Sequence, residues 1–315
     1  MNEKINAIRE EMAKVVIGQE KMIDGLLIGL LCEGHILIEG IPGLAKTTTV
    51  KALSSALGLR FKRVQFTPDL LPSDILGAEI YDPQKNEFKI KRGPVFTNLL
   101  LADEINRAPA KVQSALLEVM QEKQVTIGEE SFKLSPPFFV MATQNPVEQE
   151  GVYQLPEAQL DRFMMKLVVG YNTKEEELEI ARRISRGTSG KINAVVTPEE
   201  LEMLKKQVSE VHMDEEVEKY MIELVSATRD PKAYGLEAIA DYIQFGASPR
   251  VSIDMFKAVK AMAFLRGKDY VSPVDIAYII KEVMRHRVIL SYEAEAEGIT
   301  ADFIIDKIVE AVAIP

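Results

Sequence analysis

Lys46 and Thr47 close a short loop, Gly40-Ile41-Pro42-Gly43-Leu44-Ala45-Lys46-Thr47-Thr48, directly after the apolar run Ile36-Leu37-Ile38-Glu39. Glycines, a proline and a Lys-Thr pair in that order suit a phosphate cradle. Backbone N–H groups turn inward, the start of the following helix adds positive potential, and an ammonium supplies the counter-charge. Ala45 stands where the strict G-x-x-x-x-G-K-[ST] pattern has its second glycine. If Ala45 takes helical dihedrals its methyl costs little; if it needs a positive φ, the loop is expected not to close on phosphate.

Asp103-Glu104 is the second chemical pair, ending the apolar run Leu99-Leu100-Leu101-Ala102. At the carboxyl edge of a parallel sheet, beside a phosphate loop, Asp103 would hold Mg²⁺ through water and Glu104 would polarise an attacking water. Asn145 ends a further apolar run, Phe138 to Ala142. Its amide would position water or phosphate there, or it is a turn residue before Pro146. Arg162 precedes the run Met164 to Val169. Spacing alone leaves it as a cation near a sheet edge or as a salt-bridge partner of Asp161 or another neighbour. Arg250 falls in the first turn of a helix announced by Ser248-Pro249, where a cation opposes the helix dipole, so a nearby anion is expected.

These residues need elements to hold them. Apolar positions Ile5, Ile8, Met12 and Met22, Ile23, Leu26, Leu27, Leu30 keep helical spacing. They predict two helices hinged at Val16-Ile17-Gly18-Gln19. Residues 35–39 read as a buried strand and 46–57 as a helix ended by Gly58, which is the strand-loop-helix context a phosphate loop requires. Residues 61–67 predict another strand. Hairpins are expected at 79–91, across Asp82-Pro83-Gln84-Lys85-Asn86, and at 124–134. The first carries Lys85, Lys89, Lys91 and Arg92, a solvated face or a substrate contact. Beyond Thr173 the chain turns helical, with capping signals at Thr173, Thr197, Asp214, Ser248 and Ser272. Arg186 to Lys191 is the best linker candidate.

A chain of 315 residues, 47% of them hydrophobic, is long enough for one large or two ordinary domains with a substantial core. The formal net charge of -10 disfavours nucleic-acid or anionic-membrane binding by overall charge. A single cysteine, Cys32, excludes an intramolecular disulfide and suits a reducing compartment. The first residues lack a signal-peptide core, and the apolar run from Leu26 to Cys32 is too short to span a bilayer, so a soluble cytoplasmic protein without membrane insertion is expected. His35, His212 and His286 are scattered, with no metal-ligand or nucleophile-histidine spacing.

Five segments in order resemble a MoxR-type AAA+ ATPase: Gly40 to Thr47, Leu101 to Ala108, Ala142 to Pro146, Leu155 to Phe163, and Gly246 to Arg250. The two hairpins are similar to the helix-2 and pre-sensor-1 insertions of that clade, and the family also carries alanine at the Ala45 position. The resemblance implies an α/β fold with a P-loop NTPase (AAA+) three-layer αβα core and mainly parallel sheet over residues 1–187. A smaller all-helical C-terminal lid would follow over residues 188–315. It implies ATP and Mg²⁺ as cofactors, with Lys46 and Thr47 as the Walker A lysine and metal-binding hydroxyl. Asp103 and Glu104 match Walker B, Asn145 sensor 1, Arg162 an arginine finger reaching a neighbouring subunit, and Arg250 sensor 2. Val16, Ile17, Gly18 and Gln19 would line the adenine pocket. Ring hexamers that remodel protein clients are implied, with von Willebrand factor A domain proteins or metal-cofactor insertion as settings. A nucleotide-gated binding module without turnover and a DNA-handling motor are the alternatives.

Overall fold

A computed structural model describes residues 3–146, 152–187 and 190–315. Helices α1 (Glu3–Ala13) and α2 (Glu20–Leu31) bury the apolar positions read from their spacing. Strand β1 (Ile36–Glu39) leads through the loop into α3 (Lys46–Ala56), then β2 (Phe61–Gln65). A short α4 (Pro72–Leu76) precedes the hairpin β3 (Gly77–Asp82) and β4 (Glu87–Arg92). Next come β5 (Leu99–Asp103), α5 (Ala110–Glu122) and a second hairpin, β6 (Gln124–Ile127) with β7 (Glu130–Lys133). Strand β8 (Phe139–Gln144), α6 (Glu157–Leu160) and β9 (Met165–Val168) complete the sheet region.

Five strands align in the order β2-β5-β8-β1-β9, every neighbouring pair parallel. Strand periodicity sorts their side chains onto two faces. Ile36, Ile38, Leu99, Leu101 and Met141 join the core that contains α1, α2 and α3, while Leu37, Leu100, Ala102 and Val140 pack with α4 and α5. Near-continuous apolar runs are what a sheet covered on both faces needs, and three layers result. Both hairpins stand outside this sheet as separate two-stranded ribbons.

Helices α7 (Lys174–Ser185), α8 (Pro198–Ser209) and α9 (Glu215–Ala227) begin at Thr173, Thr197 and Asp214. The Thr173 and Thr197 hydroxyls accept N–H bonds from Glu176 and Glu200, closing capping boxes. Then follow α10 (Glu237–Ala240), α11 (Pro249–Leu265), α12 (Pro273–Met284), α13 (Tyr292–Ala296) and α14 (Ala301–Ala311). The lid is helical with one exception to the all-helical expectation. Strands β10 (Ile243–Phe245) and β11 (Ile289–Leu290) pair antiparallel where the chain enters α11 and leaves α12. The divide expected at 187/188 falls beside residues 188 and 189, which lie outside the described residues.

Lid and core share one apolar interior, since Met255, Val259, Ile280 and Ile308 belong to the same cluster as Leu26 and Ile36. Glu33 adds a polar tie, receiving Lys123 at 3.0 Å and Lys205 at 2.9 Å. Among the described residues no helix is long and apolar enough to cross a membrane.

Candidate functional site

Parallel pairing delivers three strand ends to one carboxyl edge. β8 lies between β5 and β1, with Ala102 level with Ala142 and Glu39 level with Gln144. Asp103, Asn145 and the 40–45 loop therefore emerge side by side. The Gly40 N–H donates to the Gln144 carbonyl at 3.3 Å, and Asn145 follows it, buried. A Cβ on Gly40 would lie 2.9 Å from the Val169 carbonyl, so the loop leaves the sheet by a path only glycine permits.

The loop is turned by positive φ at Gly43 (88°) and at Ala45 (56°). Ala45 is thus left-handed, not helical, and the loop takes this path at a cost of about 1–2 kcal/mol for its Cβ. The expected obstacle is a tolerated strain. Glu104 (φ 56°) and Gln19 (φ 59°) are left-handed as well, as are Glu33, Asn86 and Lys123 away from this edge. Thr49 Oγ1 donates to the Ala45 carbonyl at 3.0 Å and steadies the turn.

Lys46 Nζ donates to the Gly40 carbonyl across 2.5 Å, folding the ammonium back over the loop. Burial lowers its pKa below the usual lysine range, while Asp103 and Glu104 pull it the other way. A half-buried ammonium that donates to a loop carbonyl at the start of α3 is placed to meet a phosphate anion. Thr47 and Asp103 offer hard oxygen donors of the kind Mg²⁺ takes, and Thr48 sits exposed in the same first turn of α3.

Three polar residues that sequence reading missed hold the carboxylates. Thr143 Oγ1 donates to Asp103 Oδ1 at 2.6 Å and accepts the Glu104 N–H at 2.8 Å. Arg63 Nε donates to Asp103 Oδ2 at 2.9 Å, and Gln65 Nε2 donates to Glu104 Oε2 at 2.6 Å. Glu104 also lies 3.2 Å from Arg107 Nε. Their signals were faint. Thr143 is the polar residue within an apolar strand, and Arg63 and Gln65 alternate on β2, whose end pairs Gln65 with Asp103.

Val16, Ile17, Gly18 and Gln19 reach the same edge. Gln19 Nε2 donates to the Gly170 carbonyl at 3.1 Å, and Asn172 Nδ2 donates to the Ile17 carbonyl at 3.0 Å. Gly170 follows Val169, whose N–H donates to Glu39 at 2.8 Å beside the loop. A groove of about 770 Å³ runs from Gln19 along α2 to Tyr278 on α12, but Gly40 to Thr48 do not line it.

Arg162 and Arg250 are elsewhere. The Met164 N–H donates to the His35 carbonyl at 2.8 Å, so Arg162 lies at the amino edge, below the start of β1. A strand of four residues, about 13 Å long, separates that edge from the loop. Both arginines line a groove of about 360 Å³ with Lys257 and Asp254. Asp161 does not pair with Arg162. Its Oδ2 lies 3.3 Å from Arg250 Nη1, and Ser248 Oγ donates to Oδ1 at 3.0 Å. Asp161 is thus the anion that offsets Arg250 in the first turn of α11.

Residues 35–165 match the model of the ATPase family associated with various cellular activities (AAA), and residues 236–308 match the AAA lid domain. Chaperone MoxR1 of Mycobacterium tuberculosis is 45% identical over 305 residues, covering 97% of this chain and 81% of that one. The chain belongs to the MoxR family of AAA+ ATPases. Protein MoxR of Paracoccus denitrificans is 32% identical, covering 90% and 89% of the two chains. A crystal structure from Cytophaga hutchinsonii, described as a candidate ATPase, superposes with a TM-score of 0.94 at 53% identity, over 99% of this chain and 95% of the other. Among the described residues no cluster of His, Cys, Asp and Glu is built to hold a metal ion by protein ligands alone.

Proposed function

We propose that this MoxR-family chain is a Mg²⁺-dependent ATPase whose active site is completed by a neighbouring copy, in a homo-oligomeric ring that remodels protein clients. One observation carries it: the phosphate loop, Asp103, Glu104 and Asn145 occupy one edge of the sheet, while Arg162 and Arg250 occupy the other. A chain so divided cannot aim both sets at one phosphate. A head-to-tail neighbour can, and repetition of that contact closes a ring.

Bound ATP-Mg²⁺ would supply the phosphoanhydride to be cleaved and the divalent charge. Loop amides and Lys46 would cradle the phosphates, Thr47 and Asp103 would face the cation, and residues 16–19 would take the adenine. Glu104 and Asn145 would orient the attacking water, and the neighbour's arginines would stabilise the charge on the transferred phosphoryl group. Six copies, a cytoplasmic location and partners with von Willebrand factor A domains belong to the same proposal. One relative's name, chaperone, is in keeping with protein clients.

Light scattering with and without ATP-Mg²⁺, alongside turnover against protein concentration, tests it. Assembly with nucleotide and a cooperative rise in specific activity are expected, with Glu104→Gln binding ATP but scarcely hydrolysing it. A constant specific activity from a monomer would overturn it. Nucleotide-gated binding without turnover is favoured by one feature, the engagement of Glu104 by Gln65 and Arg107. An assembled sample that binds ATP and never hydrolyses it would select that role.

A further inference from the structure

β9 is an edge strand, paired on one side with β1 alone, so carbonyls along its open side and in the residues leading into it need other donors. The lid supplies them from three consecutive residues just past α12. Arg285 Nη1 donates to the Lys166 carbonyl at 3.2 Å, and His286 Nε2 donates to the Phe163 carbonyl at 2.9 Å. Arg287 Nη1 donates to the Met164 carbonyl at 3.2 Å, and its Nη2 donates to the Asp161 carbonyl at 3.0 Å. Four carbonyls between residues 161 and 166 are thus held from the lid.

Arg287 stands out because its side chain is 1% exposed and spans both arginines of the amino-edge groove. The Asp161 carbonyl it binds belongs to the peptide bond that leads into Arg162. Its Nε lies 2.9 Å from Asp161 Oδ1, the same carboxylate that receives Arg250. Nη2 also pairs with Asp254 Oδ2 at 2.5 Å, on the helix that carries Arg250. Nη1 and Nη2 each make two hydrogen bonds, Nη1 also reaching the Val283 carbonyl at 3.1 Å, while Nε meets Asp161 as an ion pair without a hydrogen bond. A buried guanidinium so held is costly to disturb, and its planar fork fixes angles as well as distances. An ammonium cannot reproduce that fork.

We propose that Arg287 is a positioning residue that locks the lid to residues 161–164, so that Arg162 and Arg250 are presented to a neighbouring copy as one rigid pair. This rests on the shared-site function proposed above. Arg287 touches neither nucleotide nor the phosphate loop, so its loss should appear in the neighbour's turnover and not in its own chain's nucleotide affinity. Misplacement of a transition-state cation by about an ångström costs up to roughly a hundredfold in rate.

Arg287→Lys retains charge and bulk. Asp161→Asn removes the carboxylate that pairs with Arg287 Nε and Arg250 while leaving the Arg287 bonds to the Asp161 and Met164 carbonyls, so it loosens the clamp and carries the test if the first variant fails to fold. Each is expected to lower kcat about tenfold to a hundredfold, with the Kd for a fluorescent ATP analogue within twofold of wild type. Mixing either variant with Lys46→Ala, which has a disabled loop but intact arginines, should restore turnover at interfaces where the intact loop meets the intact pair. Wild-type kcat in the folded variants, with Arg162→Ala inactive, would refute the clamp and leave the shared site standing. Lost turnover that no mixing restores would also refute it, by tying Arg287 to its own chain's integrity. Full turnover by Arg162→Ala would instead bring down the shared site itself.

Discussion

Arg63 Nε donates to Asp103 Oδ2 across 2.9 Å, so the carboxylate proposed to face a divalent cation already has a positive partner on the neighbouring strand. Its other oxygen is taken by Thr143. A cation arriving at Asp103 meets this fixed positive charge. Arg63→Gln should therefore lower the Mg²⁺ concentration at half-maximal ATP binding by at least about fivefold, the size of a water-screened charge effect of about 1 kcal/mol. Titrating Mg²⁺ against nucleotide binding checks it, and an unchanged or raised midpoint contradicts it.

Gln65 draws the Glu104 carboxylate toward β2 and shares one of its oxygens. A carboxylate oxygen held in a hydrogen bond is turned from other partners. Gln65→Ala is expected to raise basal turnover by a factor of roughly 3 to 10, equivalent to the net 1 kcal/mol of an ordinary hydrogen bond. The Kd for nucleotide should not change. Steady-state ATPase rates and equilibrium binding, measured together, separate the two quantities.

Ala45→Gly should stabilise the free protein. The left-handed backbone at Ala45 costs about 1–2 kcal/mol for a Cβ, and glycine returns part of that through a more flexible unfolded chain, leaving a gain of roughly 0.5–1 kcal/mol. Urea unfolding read by circular dichroism measures it. Destabilisation would show that the methyl packs better than the turn alone requires.

Stability should fall on mild acidification through His35 and His286. His35 Nε2 donates to the Met120 carbonyl at 3.0 Å and Nδ1 accepts the Val140 N–H at 3.0 Å, so one neutral tautomer satisfies both bonds. Burial, its largest cause, holds the His35 pKa down at about 4, and His286 is pushed well below 6.5, also chiefly by burial. Both imidazoles bind protons more readily when unfolded. Their contribution is complete above about pH 6.5 and is lost as pH falls toward the folded value, about 3 kcal/mol for His35 alone. Urea midpoints between pH 7.5 and 4.5 should drop more steeply in wild type than in His35→Gln.

Much of the site was legible because it is local. Gly40 to Thr47 is a strand-loop-helix junction, and Asp103-Glu104 ends an apolar strand, so each could be read from adjacent residues. Arg63, Gln65 and Thr143 could not, since they meet the carboxylates only through a register that seats β5 between β2 and β8. The Ala45 backbone was left as a conditional because one methyl does not reveal φ. Which cations Asp161 meets is a long-range matter, since Arg250 and Arg287 approach that carboxylate from the lid. The β10–β11 ribbon escaped notice because strands of three and two residues carry no period.

Mixing Arg162→Ala with Lys46→Ala tests the shared site most directly. Each variant alone should be nearly inactive, the first binding nucleotide normally. An equimolar mixture should recover turnover at up to about a quarter of its interfaces, where an intact loop faces an intact arginine. Wild-type turnover by Arg162→Ala alone, or no recovery on mixing once co-assembly is verified, would contradict a site completed by the neighbouring copy.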